Sequence, residues 1–265
     1  MLPIFESNLH AVQYAPFMFA GAILLFTALG WYFGHFRIKA NKNESITVRD
    51  PLVAAIFGLT ALVLGFTFSG SGSRYAAHMD VIRTQAQALQ KVYGSLQYLA
   101  PSDQIEVKKS LDNLLDVRLS AFKNVKGLSD IEVQERNLMQ ATRKLQEQVT
   151  LASVNAAPKN QALINELLIP QVRDLSSSLS AGIINAKSHP PTMLMRFLFA
   201  LLCVTAFLIG YTMAVKKESD WLLATLYTVI IGVALYVILS LELPNLLMPY
   251  EEVNRDFLAL KNAVK

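Results

Sequence analysis

Four apolar stretches of membrane-spanning length, two on each side of a long polar middle, constrain this chain more than any other feature. They run over residues 16–36, 51–70, 193–215 and 221–241. A helix rising about 1.5 Å per residue needs about 20 such residues to cross ~30 Å of hydrocarbon. None of the four carries Lys, Arg, Asp or Glu at its centre, where one would cost at least ~2.5 kcal/mol. The sequence therefore predicts an all-α integral membrane protein. Its plan is four transmembrane helices in two hairpins, with an extramembrane antiparallel helical bundle between spans 2 and 3. The segments are 1–73 (N-terminal tail and first hairpin), 74–191 (bundle), 192–243 (second hairpin) and 244–265 (C-terminal tail).

The net charge is +4, with 53% hydrophobic and 17% charged residues. In a membrane protein such a surplus of cations sets orientation. No basic run with interleaved aromatics occurs, so no nucleic-acid partner is expected. Residues 35–50 hold Arg37, Lys39, Lys42 and Arg49 against Glu44 and Asp50, and residues 216–220 hold Lys216 and Lys217 against Glu218 and Asp220. With four spans these two loops share one side, and their basic residues favour the cytoplasm of a bacterial inner membrane. No Lys or Arg precedes the first stretch, which is too long for a signal-peptide core, so it is expected to be retained as a span. The single cysteine, Cys203, supports neither a disulfide framework nor a Cys-based zinc site.

The middle region reads as helices. Tyr75, Met79, Ile82, Ala86, Leu89, Tyr93 and Leu96 recur at alternating spacings of four and three, a heptad seam. That seam fits either self-association or the core of the same subunit's bundle. Pro101 with Ser102 and Asp103 opens a second helix carrying Leu111, Leu114, Leu115, Leu119 and Phe122, which ends at Lys126-Gly127. Ser129 and Glu132 form a capping box for a third helix with Ile131, Leu138, Leu145 and Ala152, closed by Pro158. A fourth carries Ile164, Leu168, Val172, Leu175, Leu179 and Ile183, kinked or started at Pro170. The weak point is Ser69-Gly70-Ser71-Gly72-Ser73, where two glycines cost about 2 kcal/mol relative to alanine. If the helix survives it, one rod of ~73 Å runs from residue 51 to 99.

Walker, HExxH, GxSxG, CxxC and paired-carboxylate patterns are absent from the sequence, and His10, His35, His78 and His189 are scattered. The expectation is no catalytic, cofactor or metal site, and no enzymatic activity. The second span is the most suggestive segment. Gly58 and Gly65 lie one heptad apart on a shared face, which suits close helix packing in lipid. The functional alternative sets Thr60, Thr67, Ser69 and Ser71 along a water-filled path, with Phe66 or Phe68 as an apolar constriction. Arg196, just inside the third span, and Glu242, at the end of the fourth, could pair or could snorkel separately to the interface. Trp31, Tyr32, Tyr211, Trp221, Tyr227 and Tyr236 lie mostly near span ends, as aromatic belts do.

The run Ile56-Phe57-Gly58-Leu59-Thr60-Ala61-Leu62-Val63-Leu64-Gly65-Phe66-Thr67-Phe68-Ser69, followed by Arg74-Tyr75, resembles the second-span signature of the bacterial bestrophin-like domain family of unknown function. So does Leu115-Asp116-Val117-Arg118-Leu119. The ending Leu235-Tyr236-Val237-Ile238-Leu239-Ser240-Leu241-Glu242-Leu243-Pro244 is similar to that family's final span. The resemblance covers the chain from about Pro51 onward. It implies a distant likeness to bestrophins, which are pentameric anion channels with two hairpins of spans and a large cytosolic helical domain between them. Two departures stand out: the loop charges here put the middle region outside, and Glu251, Glu252 and Asp256 do not make the acidic cluster of a calcium clasp. The leading expectation is a homo-oligomeric ion channel with span 2 lining the axis and the permeant ion unspecified. The alternative is a non-conducting, membrane-anchored sensor or scaffold that uses the helical bundle.

Overall fold

The structure, a computed structural model, describes residues 9–40, 50–121, 123, 128–186, 192–217 and 220–264. All the regular elements among them are helical: α1 (Leu9–Ala40), α2 (Asp50–Ser95), α3 (Pro101–Ser120), α4 (Leu128–Asn155), α5 (Pro158–Leu163), α6 (Ile169–Ala186), α7 (Thr192–Lys216), α8 (Trp221–Glu242), α9 (Pro244–Leu247), α10 (Tyr250–Val253) and α11 (Arg255–Val264). A 3₁₀ turn over Leu96–Tyr98 follows α2, and a π turn over Ile164–Leu168 joins α5 to α6. Among the described residues four helices are long and apolar enough to cross a membrane. The chain divides into two compact units, one of residues 10–74 and 189–243 and the other of 75–188 and 244–265, each taken here in its described residues.

In the first unit α1 and α7 pack backbone to backbone. A Cβ added at Gly210 would lie 1.9 Å from the Thr27 carbonyl oxygen, and one added at Gly30 would lie 2.0 Å from that of Phe207. Only glycine permits such an approach, which in lipid supplies the van der Waals contact that drives helix association. Around this crossing Ile23, Leu198, Leu202, Ala206, Ile231 and Leu235 form the core, with Val63 and Leu64 of α2 packed against it. Phe19 meets Phe199, and Arg37 donates to the Tyr211 hydroxyl at 2.8 Å, so α1 and α7 run in the same sense. Trp31 meets Trp221, so α1 and α8 run in opposite senses, as Gly232 beside Ala20 also requires. Cys203 is buried.

In the second unit the later part of α2 packs with α3, α4 and α6. Tyr93 donates to Asp112 and Arg118 to Gln85, which makes α2 and α3 antiparallel. Ser95 donates to Gln171 and Gln85 to the Ser178 carbonyl, which does the same for α2 and α6. The heptad seam is consumed here. Ile82, Ala86, Leu89 and Leu96 are buried among Leu111, Leu114, Leu115, Leu145, Leu168 and Leu175. It is therefore the core of this unit, and self-association is not needed to cover it.

The prolines mark boundaries more sharply than expected. Helix α3 begins at Pro101 itself, with Ala100 as the flanking residue and no side-chain cap. Proline at the first helical position has no N–H to leave orphaned, so Ser102 and Asp103 are not needed as caps. Pro158 opens α5 in the same way. Pro170, the second residue of α6, directly follows the π turn. A proline ring crowds the carbonyl four residues back, and a widened turn there makes room for it. Phe122 and Lys126-Gly127 lie outside the described residues, as do the side chains of Ser129 and Ile131.

The C-terminal residues, read from the sequence as a tail, belong to the second unit. Val253, Phe257 and Leu260 join its core. The Tyr250 hydroxyl donates to the Leu119 carbonyl at 2.8 Å, and Lys261 bonds Asp116 at 2.6 Å. Arg118, buried, faces Asn254 and stacks over the Phe257 ring at 4.7 Å. Burial pulls its guanidinium down to about 10, with the Tyr250 hydroxyl opposing that shift, so it remains a cation at neutral pH. Phe257→Ala should lower the unfolding free energy by about 3–5 kcal/mol, the range for a fully buried phenylalanine. Denaturant titration of the detergent-solubilised protein, followed by circular dichroism, measures it.

Candidate functional site

Helix α2 remains continuous through Ser69–Ser73. Its 46 residues make it ~69 Å long by helical rise. In its first part the two faces differ in kind. Thr60, Thr67 and Ser71 are buried, beside the core-packed Val63 and Leu64. On the opposite face Gly58, Ala61, Leu62, Gly65, Phe66, Ser69 and Ser73 are exposed. Among the described residues, nothing outside the helix's own backbone lies within 4 Å of a Cβ built at Gly58, Gly65 or Gly72. This face carries no charge between residues 51 and 73, and its hydroxyls, Ser69 and Ser73, lie toward its end.

The residues expected along a path thus separate into two groups. Thr60 donates its hydroxyl to the Ile56 carbonyl and Thr67 to that of Val63, both at 2.8 Å. Each is satisfied within its own helix and turned into the unit. Phe66, Phe68 and Ser69 are on the open side, Phe66 at 69% exposure and Phe68 at 47%. Two residues apart on a helix is about 200°, so the two rings flank the open face from either side. Phe66 shares it more closely with Leu62, Ser69 and Ser73.

Where the buried face ends, the polar chemistry concentrates. The Glu242 carboxylate, only 4% exposed, sits at the last residue of α8. Arg74 donates through Nε to both of its oxygens, at 2.9 and 3.2 Å, and through Nη2 to Oε1 as well. The Ser71 hydroxyl donates to the same Oε1, and Arg74 Nη2 also reaches Ser71 Oγ at 3.3 Å. Glu242 thus takes Arg74 as its cation, whereas Arg196 is exposed on α7. Arg74 lies on the helix that runs in the same sense as α8, as Phe57 against Tyr227 also shows. No cluster of three or more His, Cys, Asp or Glu that could hold a metal occurs among the described residues.

A packing scheme of four apolar helices with a helical bundle inserted after the second has counterparts among known proteins. The Bestrophin-like domain family matches residues 20–245. The chain belongs to the bestrophin-like family. Crystal structures of a bacterial bestrophin homologue from Klebsiella pneumoniae share its fold. One, of a point-substituted form, gives a TM-score of 0.65 at 13% identity and covers 91% of this chain and 98% of that one. Another gives 0.63 at 14% identity and covers 91% and 97%. The comparison with curated proteins gives no match. Arg74 and Glu242, which lie in two of the segments carrying the bestrophin-like resemblance, are the residues that meet in space.

Removing Arg74 leaves a carboxylate enclosed without its cation. Arg74→Ala should cost about 2–3 kcal/mol, between a surface pair and a fully buried one because the arginine is itself partly exposed. The double variant Arg74→Ala/Glu242→Gln should lose less than the two single changes added together. Thermal unfolding of the four forms in detergent gives the coupling.

Proposed function

We propose that this bestrophin-like protein is a homo-oligomeric ion channel, with the open face of α2 lining the axis between subunits. The observation that supports this most is the contrast between two exposed surfaces of the first unit. On α8 the exposed residues Leu222, Leu226, Val229, Ile230 and Val233 are bulky, as a surface against acyl chains should be. On α2 between residues 58 and 73 small residues, Gly58, Ala61, Gly65, Ser69 and Ser73, are exposed among the bulkier Leu59, Leu62, Phe66 and Phe68. Small residues gain nothing from lipid, but they leave room for a neighbouring backbone or for water. With no charged ring on that face, gating falls to an apolar constriction that wets and dries, and Leu62 with Phe66 is the place for it. Thr60 and Thr67 then serve packing rather than the path. The reading is non-enzymatic, and the permeant ion follows from the constriction's width and is left to measurement.

Purified protein should run as a ring of three or more copies in native mass spectrometry and give single-channel currents in planar bilayers. Phe66→Ala should raise the unitary conductance several-fold, while Thr67→Val, turned away from the axis, leaves it unchanged. A monomer or dimer silent in bilayers would sink the channel reading and favour a membrane-anchored sensor or scaffold acting through the bundle.

For orientation, the loop charges favour residues 35–50 and 216–220 on the cytoplasmic side. A cysteine replacing Ser45, in a Cys203→Ala background, should react with an impermeant maleimide only after permeabilisation. Reaction in intact cells would reverse the assignment and put the bundle in the cytosol, as in bestrophins.

A further inference from the structure

The strongest unassigned feature is the meeting of the weakest stretch of α2 with the most enclosed charge of the first unit. Residues 69–73 alternate serine and glycine, so this turn of α2 has poor intrinsic helix propensity. The two glycines themselves gain no packing from another helix. Nothing lies within 4 Å of a Cβ at Gly72, and at Gly70 the nearest atoms belong to the Arg74 guanidinium of the same helix. What does reach this turn from another helix is Glu242, bonded by Ser71 and by the fork of Arg74. Glu242 gains nothing from its own position, because an acid at a helix C-terminus opposes the helix dipole. Its carboxylate is nevertheless 4% exposed, and Ser71 is fully buried.

We propose that Ser71, Arg74 and Glu242 form a clamp that holds α2 straight across residues 69–73, and that separating them lets α2 bend at Gly70 and Gly72. The clamp grips α2 just past Ser69, where the open face that carries Phe66 and Ser69 ends. A shift of the α8 end relative to α2 is enough to open it. In the clamped state three donors converge on one carboxylate. In the released state the carboxylate and guanidinium are hydrated separately, and the glycines supply the bend. The bending does not depend on whether the protein conducts.

Distance measurement between two nitroxides tests this directly. In a Cys203→Ala background the labels go on Leu59→Cys and Asp80→Cys, both exposed residues of α2. Labelled chains are diluted with unlabelled ones so that only distances within one chain are read. With the clamp intact the unbroken helix between the labels gives one narrow distance distribution. Glu242→Gln should broaden the distribution and shift its mean shorter by several ångströms. Adding Gly70→Ala, whose methyl would meet the Arg74 guanidinium at ordinary contact distance, and Gly72→Ala, which faces open space, should restore the narrow distance. If Glu242→Gln alone does not fold, Arg74→Gln/Glu242→Gln, which leaves no lone enclosed charge, takes its place with the same expected result. A distribution in the clamp-free form as narrow as the parent's, or one the alanines fail to narrow, overturns the clamp. Because the readout needs no current, a silent protein with a bending α2 sinks the channel and leaves the clamp standing.

Discussion

Lipid is as apolar as leucine, so helices that have crossed a bilayer gain little from hiding leucines against each other. What remains is backbone satisfaction within each helix and dense contact where helices touch. In the first unit that contact depends on Gly30 and Gly210, each set where a Cβ would strike the carbonyl of the facing helix. The core around them follows from the approach these two positions permit. The same physics explains why the hydroxyls of Thr27, Thr60, Thr67, Thr228 and Ser240 each go to a carbonyl four residues back. A buried hydroxyl with no water must find an acceptor, and its own helix always offers one. Such residues mark the inside of the unit without implying a path through it.

Against that background the open face of α2 has meaning. Glycines at Gly30 and Gly210 are spent on contact, whereas a Cβ at Gly58, Gly65 or Gly72 would meet no other helix among the described residues. Glycine in a helix interior costs about 0.5–1 kcal/mol each relative to alanine. Gly58 and Gly65, in register on one face, return nothing for that cost in the packing of the first unit. In the channel proposed above, a neighbouring copy or water on the axis would lie against them.

Much of this was legible in the sequence, and the rest was illegible for identifiable reasons. Span length and charge-free centres suffice for the four apolar helices, because the hydrocarbon thickness leaves little freedom. The heptad positions Ile82, Ala86, Leu89 and Leu96 were equally readable, but periodicity names a buried stripe and not what buries it. The choice between a partner copy and the unit's own helices needed α3, α4 and α6 in place. Thr60 and Thr67 posed the same difficulty. Their small polar side chains fit a path or a packed interface, and only the position of Val63 and Leu64 against the core decides which way they turn. The C-terminal residues looked like a tail because Val253, Phe257 and Leu260 are too few to signal burial, yet they complete a core supplied by others.

The partner of Glu242 shows a different limit. Arg196 was the natural candidate from depth alone, since both residues end up near the same membrane face. Depth, however, says nothing about position around the unit, and a carboxylate 4% exposed needs a donor within hydrogen-bond reach. Helices α2 and α8 run in the same sense with Phe57 against Tyr227. Carrying that register along both helices by about 14–15 residues, or ~22 Å of rise, brings Ser71 and Arg74 level with Glu242. The pair is therefore a consequence of how two parallel helices align, and the arginine's guanidinium fork suits it to hold both carboxylate oxygens at once. A lysine there would supply the charge but not the two-pronged grip, and it is the grip that relates the rotation of α2 to the end of α8.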